Sequence, residues 1–259
     1  MQTVPLQRDN IQSHLTTDFI GHNIILKDSL ASTNDYAKEQ DNPDGTVILA
    51  EEQTGGKGRM GRHWVAPKRS SVLMSIDLQP KKEIDSLRII TLAAGLAVAE
   101  TIRDLYLLPA RLKWPNDVII YERKVCGILT ESQLRGSSIA KIIVGIGINV
   151  NQHPTDFPDD LRLPATSLKI DASRELDRNE LIGNLLNKFE ERYRQVLERN
   201  SEKIVLDWKK NSNQLGKTVK LVTDSGERQA VLRDIDSDGS ALVEYEDGTT
   251  EKFLSGDMS

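Results

Sequence analysis

Residues 125–150, VCGILTESQLRGSSIAKIIVGIGINV, decide the fold. Two strand-like runs, Val125–Gln133 and Ile139–Val150, flank Arg135-Gly136-Ser137-Ser138, whose glycine and small polar residues suit a hairpin turn. A connection this short joins antiparallel strands, because a parallel pair needs a crossover of roughly a dozen residues or more. A third run, Asp117–Tyr121, lies just upstream. The chain is therefore not read as a doubly wound parallel sheet.

Upstream of these strands, Leu87, Ile90, Ala94, Ala97, Thr101 and Leu105 recur at helical spacing and predict a helix from about Asp85 to Tyr106. Ser71–Gln79 alternates, with Val72, Met74, Ile76 and Leu78 on one face, and Thr46–Glu51 reads as a further strand. Ser32, with Asp35 three residues on, predicts a capped short helix to about Glu39. Downstream, Asp177 and Glu180 cap a second long helix with Leu181, Leu185, Phe189, Tyr193 and Val196 as its core stripe. From about Gln214 the turns Asp224-Ser225-Gly226, Asp238-Gly239 and Asp247-Gly248 punctuate short β-like runs, the spacing of a small five-stranded antiparallel barrel. The fold class is α+β: a mixed, mostly antiparallel sheet flanked by helices, with a small C-terminal barrel. Residues 1–20 are read as an N-terminal arm or an element packed on the core, 21–213 as the main domain and 214–259 as the small one.

The chain has 259 residues, 38% hydrophobic and 28% charged, enough for one medium domain and a small one. A net charge of −5 argues against bulk nucleic-acid affinity, which needs a basic field over a face. One cysteine, Cys126, excludes an internal disulfide and fits a reducing compartment. No apolar run approaches the ~20 residues of a membrane span, and the N-terminus has no signal-peptide pattern. The four histidines have no metal-ligand spacing, and no glycine-flanked serine nucleophile is present. A cytoplasmic protein is expected.

Positive charge is concentrated locally. Gly55-Gly56-Lys57-Gly58-Arg59-Met60-Gly61-Arg62-His63-Trp64 alternates glycines with fixed cations, and no acidic residue follows as far as Arg69. Glycine lets backbone N–H groups approach a ligand, and lysine and arginine supply donors matched to phosphate. The stretch reads as a mobile loop that closes over an anion, or as a solvated basic surface loop. It is neither a Walker A loop nor a dinucleotide fingerprint. Lys113-Trp114-Pro115-Asn116-Asp117 leads into a strand where hard oxygen ligands can meet a Mg²⁺ held by nucleotide phosphates, or is an ordinary turn. Lys124 opens an apolar strand, either facing a pocket as a charge-stabilising cation or snorkelling to solvent. Cys126 reads as a small core residue. Gly145 and Gly147 mark close approach of a ligand or backbone, or simply admit a large neighbour.

Together and in order, Ser32-Thr33-Asn34, Gln53 with the loop, Lys113–Asp117, Lys124–Glu131 and Gly145–Asn149 resemble the motif series of biotin protein ligases (biotin–acetyl-CoA-carboxylase ligases). The small C-terminal unit is similar to that family's SH3-like domain, so the resemblance covers nearly the whole chain after residue 20. It implies a catalytic domain like those of class II aminoacyl-tRNA synthetases. It also implies biotin and ATP as substrates with Mg²⁺, a biotinyl-5′-AMP intermediate, and transfer to one lysine of a biotin carboxyl carrier protein. The enzyme would be a monomer or homodimer.

By the same resemblance, Ser32, Thr33 and Asn34 lie near the biotin ureido head, Gln53 contacts biotin, and Lys57, Gly58 and Arg59 form the loop core, with Arg59 retaining the adenylate. Lys124 contacts the biotinyl carbonyl and phosphate and is, with Arg59, the catalytic candidate. Gly127 and Leu129 line the biotin pocket through their backbones. Arg62, Trp64, Asn116 and Asn149 fall on the nucleotide side, and Asp117 on the Mg²⁺ side. Lys57 stands where arginine is usual, keeping the charge but losing the fork, and Met60 makes the loop less positive. Members that double as repressors carry an N-terminal DNA-binding domain for which these residues leave no room, so DNA binding is not expected. A lipoate ligase or octanoyltransferase of the same architecture would lack the Gly-Arg-Gly loop and Lys-Trp-Pro-Asn. A nucleic-acid-binding module would show affinity falling steeply with salt.

Overall fold

The computed structural model describes residues 4–80, 86–136, 138–159, 161, 163–223, 226–254 and 256–258. In chain order the elements are α1 (Arg8–Gln12), β1 (Ile24–Lys27), α2 (Thr33–Glu39), β2 (Thr46–Ala50), β3 (Ser71–Leu78), α3 (Leu87–Tyr106), β4 (Arg111–Lys113), β5 (Asp117–Ile120), β6 (Arg123–Arg135) and β7 (Ser138–Asn149). There follow α4 (Leu168–Ala172), α5 (Arg178–Leu197), α6 (Ser201–Asn211), β8 (Thr218–Thr223), β9 (Gly226–Ile235), β10 (Ala241–Glu244), β11 (Thr250–Phe253) and β12 (Asp257–Met258).

Seven strands form one sheet in the order β1-β2-β3-β7-β6-β5-β4. Only β1 and β2 run parallel; every other neighbouring pair is antiparallel, as the short connection between β6 and β7 requires. Ser137 of the expected turn, Asp224 and Ser225 of the first tail turn, and Asp85 at the expected helix start lie outside the described residues. The two N-caps act as read, Ser32 accepting from the Asp35 N–H and Asp177 from the Asn179 N–H, but no reciprocal side-chain bond from Asp35 or Glu180 completes either capping box among the described residues. Both sheet faces are covered. On one, α3 packs against β6 and α5 against α3. On the other, α2 buries Ala37 against Ile48 and Ile143, the residues of β2 and β7 that point away from the main core. Double coverage explains why β3 is buried along its whole length, with Ser71, Ser75 and Asp77 interspersed among its apolar residues.

Residues 4–20 pack on the core. Ile11 and Ile20 are fully buried, and the Glu190 carboxylate accepts from the N–H groups of Asp18, Phe19 and Ile20. Buried Arg178 holds Glu51 and the Val4 carbonyl, while Glu51 accepts from the Leu6 N–H. Strands β8 to β12 form a second, wholly antiparallel sheet ordered β11-β10-β9-β8-β12, the small all-β unit that the turn spacing predicts. It is fastened to the first sheet through Trp114. The indole Nε1–H donates to the Gly239 carbonyl at 3.1 Å, the Trp114 N–H donates to Gln214 at 2.8 Å, and Phe253 packs on the ring at 5.6 Å.

Candidate active site

A cavity of about 300 Å³ opens on the face of β6 and β7, and every expected site residue lines it: Ser32, Thr33, Asn34, Gln53, Lys57, Gly58, Arg59, Arg62, Trp64, Asn116, Asp117, Lys124, Gly127, Leu129 and Asn149. Motifs up to 117 residues apart in the chain (32 to 149) therefore meet in one place.

The floor is built on glycine. Gly127 and Gly147 are paired across β6 and β7, and Gly145 sits opposite Leu129. A Cβ on Gly147 would lie 2.7 Å from the Trp64 indole, one on Gly127 2.9 Å from it, and one on Gly145 2.3 Å from Asn34 Oδ1. Real Cβ atoms do not approach so closely. The bare strands thus admit two large neighbours, Trp64 and Asn34, which is one of the two readings the glycines allowed.

At the α2 end the polar groups form a chain. Gln53 Oε1 accepts from the Thr33 N–H at 2.7 Å and lies 3.0 Å from Thr33 Oγ1. Ser75 Oγ lies 2.7 Å from Thr33 Oγ1 and 2.6 Å from Asn34 Oδ1. Asn34 Nδ2 donates to the Leu129 carbonyl and to Glu131, so its amide orientation is fixed by two acceptors. The three oxygen–oxygen contacts share only two hydroxyl protons, because each hydroxyl donates once. The cluster is therefore rich in acceptors. Ser75 and Glu131 have no role in the sequence reading; the signal for Ser75 was a small polar residue between the apolar Met74 and Ile76 of a strand.

The glycine-basic loop folds back as a small hairpin. The Trp64 N–H donates to the Gly56 carbonyl at 2.9 Å and the Gly58 N–H to Arg62 at 2.7 Å, with Met60 and Gly61 at positive φ at the tip. Lys57 lies 2.7 Å from Asp35 of α2, and the hydrogen bond to Asp35 raises its pKa above the ordinary lysine value. The Arg59 guanidinium donates to Asn116 Oδ1 at 3.2 Å and to the Gly256 carbonyl at 3.1 Å. The Trp64 Nε1–H is buried without an acceptor among the described residues.

Lys124 faces the cavity, with its Nζ 5.7 Å from the Trp64 ring and 2.7 Å from Asp117 Oδ1. Its backbone is clamped from both sides by the segment 164–166. Two nucleotide-side candidates are engaged within the protein. Asn116 Nδ2 donates to the Ile128 carbonyl, and Asn149 is held by the Thr166 carbonyl and Gln152. Asn149 therefore shapes the wall in this state through both ends of its amide. Asp117 is paired with Lys124 rather than standing in an acidic cluster, and no group of three metal-ligating side chains occurs among the described residues. Burial pushes the Cys126 thiol well above its usual range, consistent with an inert core residue. Sequence reasoning missed the lining segment with Phe157, Leu161 and Leu163, and Met258 from the second sheet, because neither carries a motif. No described helix is long and apolar enough to cross a membrane.

Residues 26–149 match the biotin/lipoate A/B protein ligase family, and residues 215–259 match the biotin protein ligase C terminal domain. The chain is 36% identical to the bifunctional ligase/repressor BirA of Bacillus subtilis (strain 168) over 256 residues, 98% of this chain and 78% of that protein. It is 32% identical to the biotin–[acetyl-CoA-carboxylase] ligase of Mycobacterium tuberculosis over 222 residues, 83% of this chain and 79% of that one. Among solved structures it superimposes on the biotin protein ligase from Aquifex aeolicus in complex with biotin and ATP. That match has a TM-score of 0.80 and 34% identity, and covers 92% of this chain and 98% of that one.

Proposed function

The chain belongs to the biotin protein ligase family, and on that footing we propose that it activates biotin with ATP and transfers it to a lysine of a biotin carboxyl carrier protein. The observation that carries this reading is the convergence of all five motifs on one cavity. In the first step an oxygen of the biotin carboxylate bonds to the α-phosphorus as the bond to the bridging β-phosphate oxygen breaks. Pyrophosphate leaves and biotinyl-5′-AMP remains. In the second step the carrier lysine amine attacks the acyl carbon, AMP leaves, and the amine loses a proton.

Neither step needs a protein nucleophile; both need positioning and charge compensation. Lys124 supplies a cation where the carboxylate meets the phosphate, with Arg59 and Arg62 on the nucleotide side beside Trp64, Asn116 and Asn149. The acceptor-rich cluster of Ser75, Thr33 and Gln53 suits the two N–H donors of a ureido ring, with Ser32 capping the helix that presents it and Asn34 held in place behind. The backbones of Gly127 and Leu129 line the apolar part. Lys57 and Gly58 carry the lid that keeps water from the mixed anhydride. A Mg²⁺ would arrive with the nucleotide phosphates and take one protein carboxylate, the mode usual for that ion. Asp117, whose buried Oδ1 has no aligned hydrogen-bond donor, is the residue that fits. We assign residues 21–213 to catalysis and 214–259 to a supporting SH3-like domain, acting in the cytoplasm.

Biotin-dependent exchange of labelled pyrophosphate into ATP tests the first step, and mass spectrometry of a carrier domain the second. Absence of exchange overturns the reading. Calorimetry with biotin against lipoate separates it from the other branch of the matched family.

A further inference from the structure

We propose that the second sheet sets the adenylate-retaining position of Arg59 through the carbonyl of Gly256, which makes Gly256 a positioning residue of the active site. The inference rests on the ligase reading above. Arg59 leaves the loop tip and ends between two acceptors of different origin: Asn116 Oδ1 on the main sheet and Gly256 O on the segment leading into β12. Both acceptors take a hydrogen of the same guanidinium nitrogen, Nη1, so together they fix the plane of that end of the side chain and restrict its rotamers before the ligand arrives.

The carbonyl is fixed for independent reasons. Gly256 has φ +129°, in the region that favours glycine, and a Cβ there would lie 2.5 Å from the Phe253 ring and 2.9 Å from the Val222 carbonyl. Phe253 packs in turn on Trp114, two residues before Asn116 in the chain. The chain after Gly256 pairs with β8, Asp257 opposite Val222 and Met258 opposite Leu221, and buried Met258 lines the cavity itself. Gly256 therefore belongs to the packed unit Trp114–Phe253–Gly256, and Asn116 follows that unit's tryptophan by two residues in the chain. This gives Trp114 of Lys113–Asp117, to which no chemistry was assigned, a role in aiming the loop.

The test uses the full chain and measures biotin-dependent pyrophosphate release from ATP without carrier protein. An enzyme that retains its adenylate releases one equivalent and then turns over slowly, whereas one that leaks continues. We expect Gly256→Ala to raise the slow steady rate about tenfold, the lower end of the range for losing one hydrogen bond to a charged group. KM for biotin and ATP should stay near the parent values, and Arg59→Gly/Gly256→Ala should leak no faster than Arg59→Gly alone. Phe253→Leu, which removes the ring wedged against Gly256, gives the same readout should Gly256→Ala not fold. An unchanged steady rate in the folded variant, additive leakage in the double variant, or KM rising in step with leakage would overturn the proposal. A parent enzyme that releases no pyrophosphate would instead remove the ligase reading.

Discussion

Lys124 Nζ lies 2.7 Å from Asp117 Oδ1, across two strands whose register places Asp117 opposite Gly127. The pair is mostly buried, so the lysine is both a candidate catalytic cation and the compensation for a buried carboxylate. Lys124→Ala should lower adenylation on the order of a hundredfold, the usual effect of removing one charge-stabilising group. It should also lower the melting temperature, because the carboxylate is left unpaired. Asp117→Asn in the same chain should restore the melting temperature without restoring the rate. Pyrophosphate exchange and thermal melts read the two effects separately, and near-parent exchange in Lys124→Ala would show that the lysine is structural.

Gly145→Ala tests the floor. The added methyl meets Asn34 Oδ1 at 2.3 Å and must break its bond to Ser75. Overpacking of this kind costs about 1–3 kcal/mol, and displacing the start of α2 should weaken biotin binding at least about tenfold. Gly95→Ala is the control. Its Cβ meets only the flexible ends of Leu112 and Ile128 at ordinary contact distances, and within α3 alanine is the better helix former. Calorimetry giving equal biotin affinities for the two variants would remove the argument from the glycines.

The parts of this fold legible in the sequence are those set by local chemistry. The β6–β7 hairpin followed from its short connection, and the α2 and α5 starts from Ser32 and Asp177. What escaped was short or non-local. β1 (Ile24–Lys27) is only four residues long, without polar/apolar alternation, and gains its identity by pairing with β2. β4 is three residues long and is fixed by β5. The missed helix α6 does carry a stripe, Ile204, Val205 and Trp208, but its N-cap Asn200 makes no side-chain capping bond. At the site, the motif residues converged as expected. The sequence did not reveal that Asn34 and Asn149 spend their amides on the protein, because hydrogen-bond partners on distant strands leave no local trace.

Trp114 joins the two sheets, so Trp114→Phe should separate packing from hydrogen bonding. The ring contact with Phe253 survives, but the Gly239 carbonyl loses its indole donor in a buried setting. Leaving that group unsatisfied costs about 1–3 kcal/mol. For a chain of this size that corresponds to a fall in melting temperature of roughly 2–12 °C. An unchanged melt would mean that Gly239 finds another donor.

Glu190 anchors residues 18–20 and gives a pH-dependent stability. Burial alone would raise its pKa; three backbone N–H donors and Arg194 outweigh that, and the carboxyl is held below the ordinary range. The unfolded chain therefore binds its proton first as pH falls. The stabilisation is complete above about pH 4.3, the unfolded value, and is lost as pH drops from there through the lower folded pKa. Protection of the Phe19 and Ile20 amides, measured against the unstructured exchange rate at each pH, should fall over that window, and in Glu190→Gln it should be low already at neutral pH. Protection independent of both pH and the substitution would place the anchor elsewhere.

Arg59→Gly should uncouple synthesis from retention. The guanidinium bridges Asn116 and Gly256 at the cavity, whereas Lys124, on a clamped strand, is untouched by the change. Pyrophosphate exchange should therefore persist, while the mixed anhydride escapes and acylates lysines without regard to their surroundings. Proteome-wide mapping of biotinylated lysines in cells carrying the variant reads this directly. Labelling should spread from one carrier lysine to many proteins, falling off with distance from the enzyme. A labelling pattern as narrow as the parent's would mean that retention is achieved by the rest of the loop, with Lys57 and Trp64 the next residues to replace.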